Sequence, residues 1–208
     1  MFEVPLAAAG LALLAPRPVP GPSLAESALS TLSDSAGPIV AGGISFGAHL
    51  AAEWAVAHPS RCAGLVLALP AWHGAPGAAP ASRSARLSAA AVRASGVDGA
   101  LSGADMPEWI YAELSRAWRG YGDGLAESLE VAASRAAPTL AELASLDVPV
   151  GIAACADDPI HPASVAAEWA RALPRARVCT TRLAVVGVDR EALGRAAVLA
   201  FLRAAGAT

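Results

Sequence analysis

The amino-acid sequence predicts an α/β protein whose mostly parallel sheet of about five strands is flanked by helices. Short apolar runs alternate with stretches of helical periodicity, which is the pattern that helix-covered parallel sheets produce. The 208 residues are 55% hydrophobic and only 16% charged, with a formal net charge of -3. This composition excludes wholesale disorder and allows a sizeable core, so we expect one domain over residues 1–208.

The individual elements follow from local patterns in chain order. Short apolar runs are the strand candidates, and they span residues 11–15, 38–41, 65–69, 148–154 and 177–181. Helical spacing or composition predicts helices over residues 23–33, 46–57, 84–94, 107–118, 125–135, 139–146, 163–173 and 190–204. The proline- and glycine-rich stretch 16–22 predicts a loop between the first strand candidate and the first helix.

An unusually long interval, residues 71–147, separates the third and fourth strand candidates. A parallel crossover needs little more than one helix, whereas this interval carries several. It also carries most of the tryptophan and tyrosine residues, including Trp109 and Trp118 at nearly helical spacing. We therefore expect a helical cap inserted into the domain, which would cover an apolar pocket and favour uncharged ligands.

The composition excludes several classes of function. The chain contains no lysine, asparagine or glutamine, which removes lysine-dependent phosphate loops and Schiff-base chemistry. A pI near 5.8 leaves no basic patch, so no nucleic-acid partner is expected. Cys62, Cys155 and Cys179 lack metal-ligand spacing, so we expect no metal and no other cofactor.

The cysteines and the N-terminal apolar run also bear on location. An odd number of widely spaced cysteines is typical of free thiols in a reducing, cytoplasmic environment. Residues 4–15 lack a basic flank and are too short to span a bilayer. We therefore interpret residues 4–15 as buried structure and expect no membrane partner.

One motif carries chemistry: residues 43–47 form a G-x-S-x-G sequence centred on Ser45. It lies between a short apolar strand candidate and a predicted helix, which is the context of a nucleophile elbow. Glycines on either side would allow a sharp turn that lifts the serine hydroxyl above the sheet edge. The N–H of Phe46 would then face a developing oxyanion, whereas in the simplest alternative Ser45 only caps its helix.

From these residues the sequence resembles the α/β-hydrolase family. Residues 41–72 are similar to the family's elbow, helix and following strand, and residues 197–202 to its closing helix. Residues 148–162 resemble the strand and loop that end in the family's acid, which implies that Asp158, four residues before Pro162, orients a catalytic histidine. The resemblance covers about two-thirds of the chain.

The sequence departs from that family in two places. The loop after the last strand, near residues 184–190, should hold the catalytic histidine, but no histidine follows His161. The family's first strands and its second oxyanion donor have no counterpart before residue 10. Either the sheet is shortened, or the chain begins downstream of the start of a fuller protein.

A serine needs a base, and four histidines compete for that role. We expect His49 to be buried in the elbow helix and His58 to interact with the C-terminal end of that helix. His161 and His73 both follow strand ends, where ligands gather in parallel sheets, so either could be the base. A site with no base remains the other alternative.

The sequence therefore predicts a serine hydrolase of the esterase or thioesterase type, acting on a small apolar acyl substrate. Ser45, Asp158 and His161 are its predicted catalytic residues. Phe46, Ile44, Trp72 and His73 are the predicted oxyanion- and substrate-binding residues.

Two other hypotheses stay open. In the first, the same fold is a non-catalytic binding or partner-interaction protein. In the second, association with another chain completes the sheet, and an unpaired front strand would be a natural site for a homodimer.

Overall fold

A computed structural model describes residues 1–103 and 106–206 and confirms the α/β class. Its sheet is parallel throughout and has the strand order β1-β2-β3-β4. The strands are β1 (Ile39–Ile44), β2 (Cys62–Ala68), β3 (Val150–Cys155) and β4 (Ala176–Thr181). The sheet thus has four strands where the sequence predicts about five.

Helices connect and cover these strands. They are α1 (Glu3–Ala8), α2 (Leu24–Ser33), α3 (Phe46–Ala57), α4 (Pro80–Ser102), α5 (Glu108–Tyr121), α6 (Leu125–Ser134), α7 (Leu140–Leu143), α8 (Ala163–Ala172), α9 (Leu183–Val188) and α10 (Ala192–Ala205). Short 3-10 turns occur at Pro59–Arg61 and Gly122–Gly124. Helix α4 is broken at Gly96, whose φ of 69° is not helical.

The strand expected at residues 11–15 does not form. Residues 11–20 are neither helix nor strand, and Leu14 is 83% exposed. Prolines at 16, 18 and 20 cannot donate ladder hydrogen bonds, and within residues 1–103 and 106–206 no strand pairs with this stretch. The expectation that residues 4–15 are buried is also wrong, because Pro5 and Leu6 are the buried positions of α1.

Helices cover both faces of the sheet, and successive side chains of β2 pack against opposite faces. Leu65 and Leu67 pack into a core formed with α3 and α8, whereas Val66 and Ala68 face a second core formed with α1 and α10. This period of two is the ordinary consequence of strand geometry. Helix α10 comes so close to β3 that a Cβ at Gly151 would clash with its backbone.

Residues 71–147, the predicted cap, hold helices α4 to α7. Helix α4 packs against α6. Arg135, directly after α6, donates to both carboxylate oxygens of Glu53 on α3 at 3.0 and 2.8 Å, and to Glu26 on α2 at 2.9 Å. These contacts fasten the segment to the helix that follows β1. Within the described residues, no helix is both long and apolar enough to cross a bilayer.

Candidate active site

Ser45 occupies a sharp turn between β1 and α3. Its φ of 54° and ψ of -115° lie outside the ordinary regions for a residue with a side chain. The backbone N–H of Ser45 donates to the carbonyl oxygen of Ala68 at 2.9 Å, which ties the turn to the end of β2. This geometry is that of a nucleophile elbow.

The two glycines of the motif play different parts. A Cβ at Gly43 would clash with the backbone of Gly47 and Ala48, so the turn requires glycine at that position. A Cβ at Gly47 would meet nothing within 4 Å. The tight approach of backbone to backbone therefore occurs on the Gly43 side of the turn.

The structure brings Ser45, His161 and Asp158 together. His161 Nε2 lies 2.8 Å from Ser45 Oγ, and His161 Nδ1 lies 3.0 Å from Asp158 Oδ2. An ionised carboxylate only accepts hydrogen bonds, so Nδ1 carries the proton and Nε2 presents its lone pair to the serine hydroxyl. This is the arrangement in which an imidazole can accept the proton of a serine.

Asp158 is held in its ionised form. Its side chain is 6% exposed, and Oδ1 accepts the backbone N–H groups of Ile160 at 2.8 Å and His161 at 3.0 Å. Burial raises the pKa of this carboxyl, but the hydrogen bonds and charge of His161 and the N–H of Ile160 outweigh it, so the pKa lies below its ordinary value.

The neighbouring Asp157 points elsewhere. Its Oδ1 accepts the backbone N–H of Leu183 at 2.7 Å, at the start of α9. Adjacent carboxylates on an extended loop point apart, and here one faces His161 while the other anchors the segment that follows β4.

The other predicted site residues lie in different environments. Phe46 begins α3, and its N–H therefore has no acceptor within the helix. Ile44 is 40% exposed at the end of β1. His73 lies 3.3 Å from Glu168 on α8, so the structure brings His161, and not His73, to Ser45.

Trp72 belongs to the core rather than to an open surface. It is 7% exposed, and its ring lies edge-on to His49 with centroids 4.5 Å apart. Its Nε1 is buried and has no hydrogen-bond partner within the described residues. Contact of Trp72 with a substrate stays a prediction.

His49 on α3 and His58 directly after α3 lie away from the serine hydroxyl. His49 is 1% exposed, and burial, with a smaller effect from the charge of His161, lowers the pKa of its imidazole from 6.5 to about 3. His58 contacts the carbonyl oxygen of Trp54 through Nδ1 at 3.0 Å, at the end of the helix.

The segment where the family's histidine is expected forms a short helix that the sequence analysis missed. Helix α9 holds Val186 in the core and leaves Val188 93% exposed. Its outer contacts involve Arg190, whose guanidinium lies 4.7 Å from the ring centroid of Trp109 on α5.

Within residues 1–103 and 106–206, no three His, Cys, Asp or Glu side chains come together as metal ligands.

Solved structures with the same fold were found by comparison. An enol-lactonase from Burkholderia xenovorans LB400 matches with a TM-score of 0.64 and 19% identity, over 90% of this chain and 75% of that chain. A hydrolase from Pseudomonas aeruginosa PA01 matches with a TM-score of 0.60 and 24% identity, over 91% and 74%. A serine hydrolase from Cycloclasticus zankles matches with a TM-score of 0.60 and 15% identity, over 91% and 75%.

These similarities define the fold. The chain has the α/β-hydrolase fold, as the resemblance in its sequence implies. No protein-family model matches the sequence, and no curated protein sequence matches it. At these identities the likeness concerns architecture, so the activity must be argued from the residues of this chain.

Proposed function

We propose that this protein is a serine hydrolase that cleaves esters or thioesters with small apolar acyl groups. The observation that carries the proposal is that His161 contacts Ser45 Oγ and Asp158 at the same time. A serine hydroxyl is a weak nucleophile by itself, and a base within hydrogen-bond reach converts it into an effective one.

The proposed reaction has two halves. His161 Nε2 takes the proton of Ser45 while Oγ attacks the acyl carbon, and the protonated imidazole then gives that proton to the departing alcohol or thiol. Water then attacks the acyl carbon of the acyl-serine while His161 takes its proton, the bond from the acyl carbon to Oγ breaks to release the carboxylic acid, and the imidazolium returns the proton to Ser45 Oγ. In both halves of the reaction, Asp158 stabilises the protonated His161 ring and holds the proton on Nδ1 of that ring in place.

The elbow supports the charge that develops on the acyl oxygen. The N–H of Phe46 lies at the N-terminus of α3, where the helix dipole favours negative charge. Because Ser45 precedes this helix directly, an oxyanion formed on its acyl group would lie beside that N–H.

The apolar side chain beside the serine supports the proposed substrate class. Ile44 offers an exposed apolar side chain next to the nucleophile. The connection between β2 and β3, residues 71–147, adds several helices to the domain. The enol-lactonase and serine hydrolase named above share the fold, and a lactone is a cyclic ester. These features favour an uncharged acyl group.

Three free cysteines are consistent with a cytoplasmic location, which we also propose.

A fluorophosphonate probe tests the proposal directly, because it forms a phosphorus–oxygen bond with an activated serine and expels fluoride. We expect the wild-type protein to be labelled and Ser45→Ala to resist labelling. His161→Ala should lose labelling, whereas His58→Ala, a change at the far end of α3, serves as the control. Hydrolysis of short-chain p-nitrophenyl esters and acyl thioesters should follow the same order.

Other outcomes would assign a different function. Absence of labelling and of turnover in the folded wild-type protein would favour a binding protein with an unreactive serine. Loss of labelling in His73→Ala together with retention in His161→Ala would move the base to His73 and contradict the assignment made here.

A further inference from the structure

His49 lies at a junction between the segments that hold the serine and the histidine. It is one turn along α3 from Ser45 and is 1% exposed. The proposed reaction does not use it, because its ring faces the chain that leaves β2 rather than the serine hydroxyl. Its contacts nevertheless reach both sides of the site.

The first contact is a pair of hydrogen bonds to the chain after β2. His49 Nε2 accepts the backbone N–H of Ala71 at 3.0 Å and that of Trp72 at 3.4 Å. Both partners are donors, so the ring is the neutral tautomer with its proton on Nδ1. That Nδ1 is buried without a partner within the described residues.

The second contact extends to the helix that follows His161. The His49 ring stacks on Trp169 of α8, with centroids 5.7 Å apart and planes at 26°. Trp169 Nε1 in turn donates to the carbonyl oxygen of Trp72 at 3.1 Å. Helix α8 begins at Ala163, two residues after His161.

These contacts matter because the serine and the histidine do not lie on neighbouring strands. Ser45 follows β1 and His161 follows β3, so the end of β2 lies between the ends of the two strands that carry them. The chain leaving β2 turns sharply at Leu69, whose φ is 53° and whose N–H donates to the carbonyl oxygen of Ala153. Because the N–H of Ser45 also donates to Ala68 at the end of β2, we expect a shift of this chain to alter the approach of His161 to Ser45.

We propose that His49 is a positioning residue that sets the distance between Ser45 and His161. It holds the backbone after β2 through Nε2, and through Trp169 it holds the helix that carries the histidine loop. The inference rests on the proposed function for its catalytic meaning, although the geometry it concerns can be measured without catalysis.

Two substitutions separate positioning from simple filling of the core. His49→Leu keeps an apolar side chain of similar volume but removes the acceptor, whereas His49→Gln places an amide oxygen where Nε2 lies. We expect His49→Leu to lower the fluorophosphonate labelling rate and kcat by roughly 10- to 100-fold with little change in KM. His49→Gln should recover most of that loss, and His58→Leu, directly after the same helix, is the matched control.

Several results would overturn the proposal. One is a folded His49→Leu protein, by circular dichroism, that is labelled at the wild-type rate. Failure of His49→Gln to recover activity would indicate a packing role only. If His49→Leu does not fold, Trp169→Phe replaces the indole on which His49 stacks by a smaller aromatic ring and removes the donor to the Trp72 carbonyl oxygen, and an unchanged labelling rate in that variant would contradict the proposed link through Trp169.

A spectroscopic readout keeps the inference separate from the proposed function. If the wild-type protein is not labelled at all, the hydrolase proposal fails, but the imidazole ¹⁵N shifts of His161 still report its hydrogen bonds to Ser45 and Asp158. We expect those shifts to change in His49→Leu and to return in His49→Gln. Identical His161 shifts in all three proteins would show that His49 does not position it.

Discussion

Asp158 holds His161 at two points. One carboxylate oxygen accepts the backbone N–H of His161 at 3.0 Å, and the other accepts the ring Nδ1 at 3.0 Å. A single side chain therefore fixes both the backbone and the ring orientation of the residue that faces Ser45. The proposed acid and base consequently lie within one short loop between β3 and α8.

The double attachment predicts a large effect of Asp158→Asn. An asparagine can present an N–H to His161 Nδ1, which favours the wrong tautomer and removes the charge that stabilises the imidazolium. We expect kcat for a p-nitrophenyl ester to fall by about 10³- to 10⁴-fold. Asp157→Asn retains an oxygen that can accept the N–H of Leu183, so it is the matched control, and equal losses in both variants would contradict the assignment.

The elbow predicts opposite outcomes for its two glycines. Gly43→Ala places a Cβ against the backbone of Gly47, and we expect it to destabilise the protein by at least about 2 kcal/mol or to prevent folding. Gly47→Ala meets open space in the first turn of α3 and should leave the melting temperature unchanged or raise it. Thermal unfolding of both variants checks this, and equal destabilisation would argue against the described turn.

The buried His49 predicts a specific pH dependence of stability. Burial holds the pKa of His49 near 3 in the folded protein, below its ordinary value of 6.5. Between these values the unfolded chain binds a proton that the folded chain does not, so stability is complete above 6.5 and falls as the pH decreases towards 3. We expect a slope on the order of 1 kcal/mol per pH unit from this group.

Urea unfolding at a series of pH values measures that slope. Other groups titrate in the same range, so the informative quantity is the difference between the wild-type protein and His49→Leu. The variant should show a shallower decline on acidification. Parallel pH profiles for the two proteins would mean that His49 is not held neutral by burial.

The free edge of β1 predicts self-association. Within the described residues β1 pairs with β2 alone, and Gly42 and Ile44 are exposed along it. Unpaired N–H and carbonyl groups on such an edge favour pairing with another strand. We expect sedimentation equilibrium to show a homodimer that Ile44→Lys weakens, and a monomer over the whole concentration range would contradict this expectation.

The features that the sequence predicts well are local ones. The strand, turn and helix around Ser45 are encoded within a few residues, and α3 spans Phe46–Ala57 as its pattern indicates. Asp158 and His161 also lie in one loop, where the family resemblance implies the acid and the sequence leaves His161 as one of two candidate bases. Short-range spacing is enough to predict such contacts because few backbone arrangements are compatible with it.

The features that the sequence does not predict depend on distant partners. Residues 11–15 have the composition of a buried strand but lack a neighbouring strand to pair with. The approach of His161 to Ser45 joins positions 116 residues apart and depends on the order of the strands, so the sequence names His161 as a candidate base but leaves His73 open beside it. In the same way, the pairing of His49 with Ala71 has no signature in local periodicity.

The location of Asp158 and His161 between β3 and α8 has a consequence for α9, the helix that follows β4. With both groups supplied between β3 and α8, nothing in the proposed proton transfer depends on α9. Val185 and Val188 are exposed there, 47% and 93% respectively. Substitutions at these two exposed positions are therefore expected to leave the contacts among Ser45, His161 and Asp158 intact, a freedom that a histidine placed after β4 would remove.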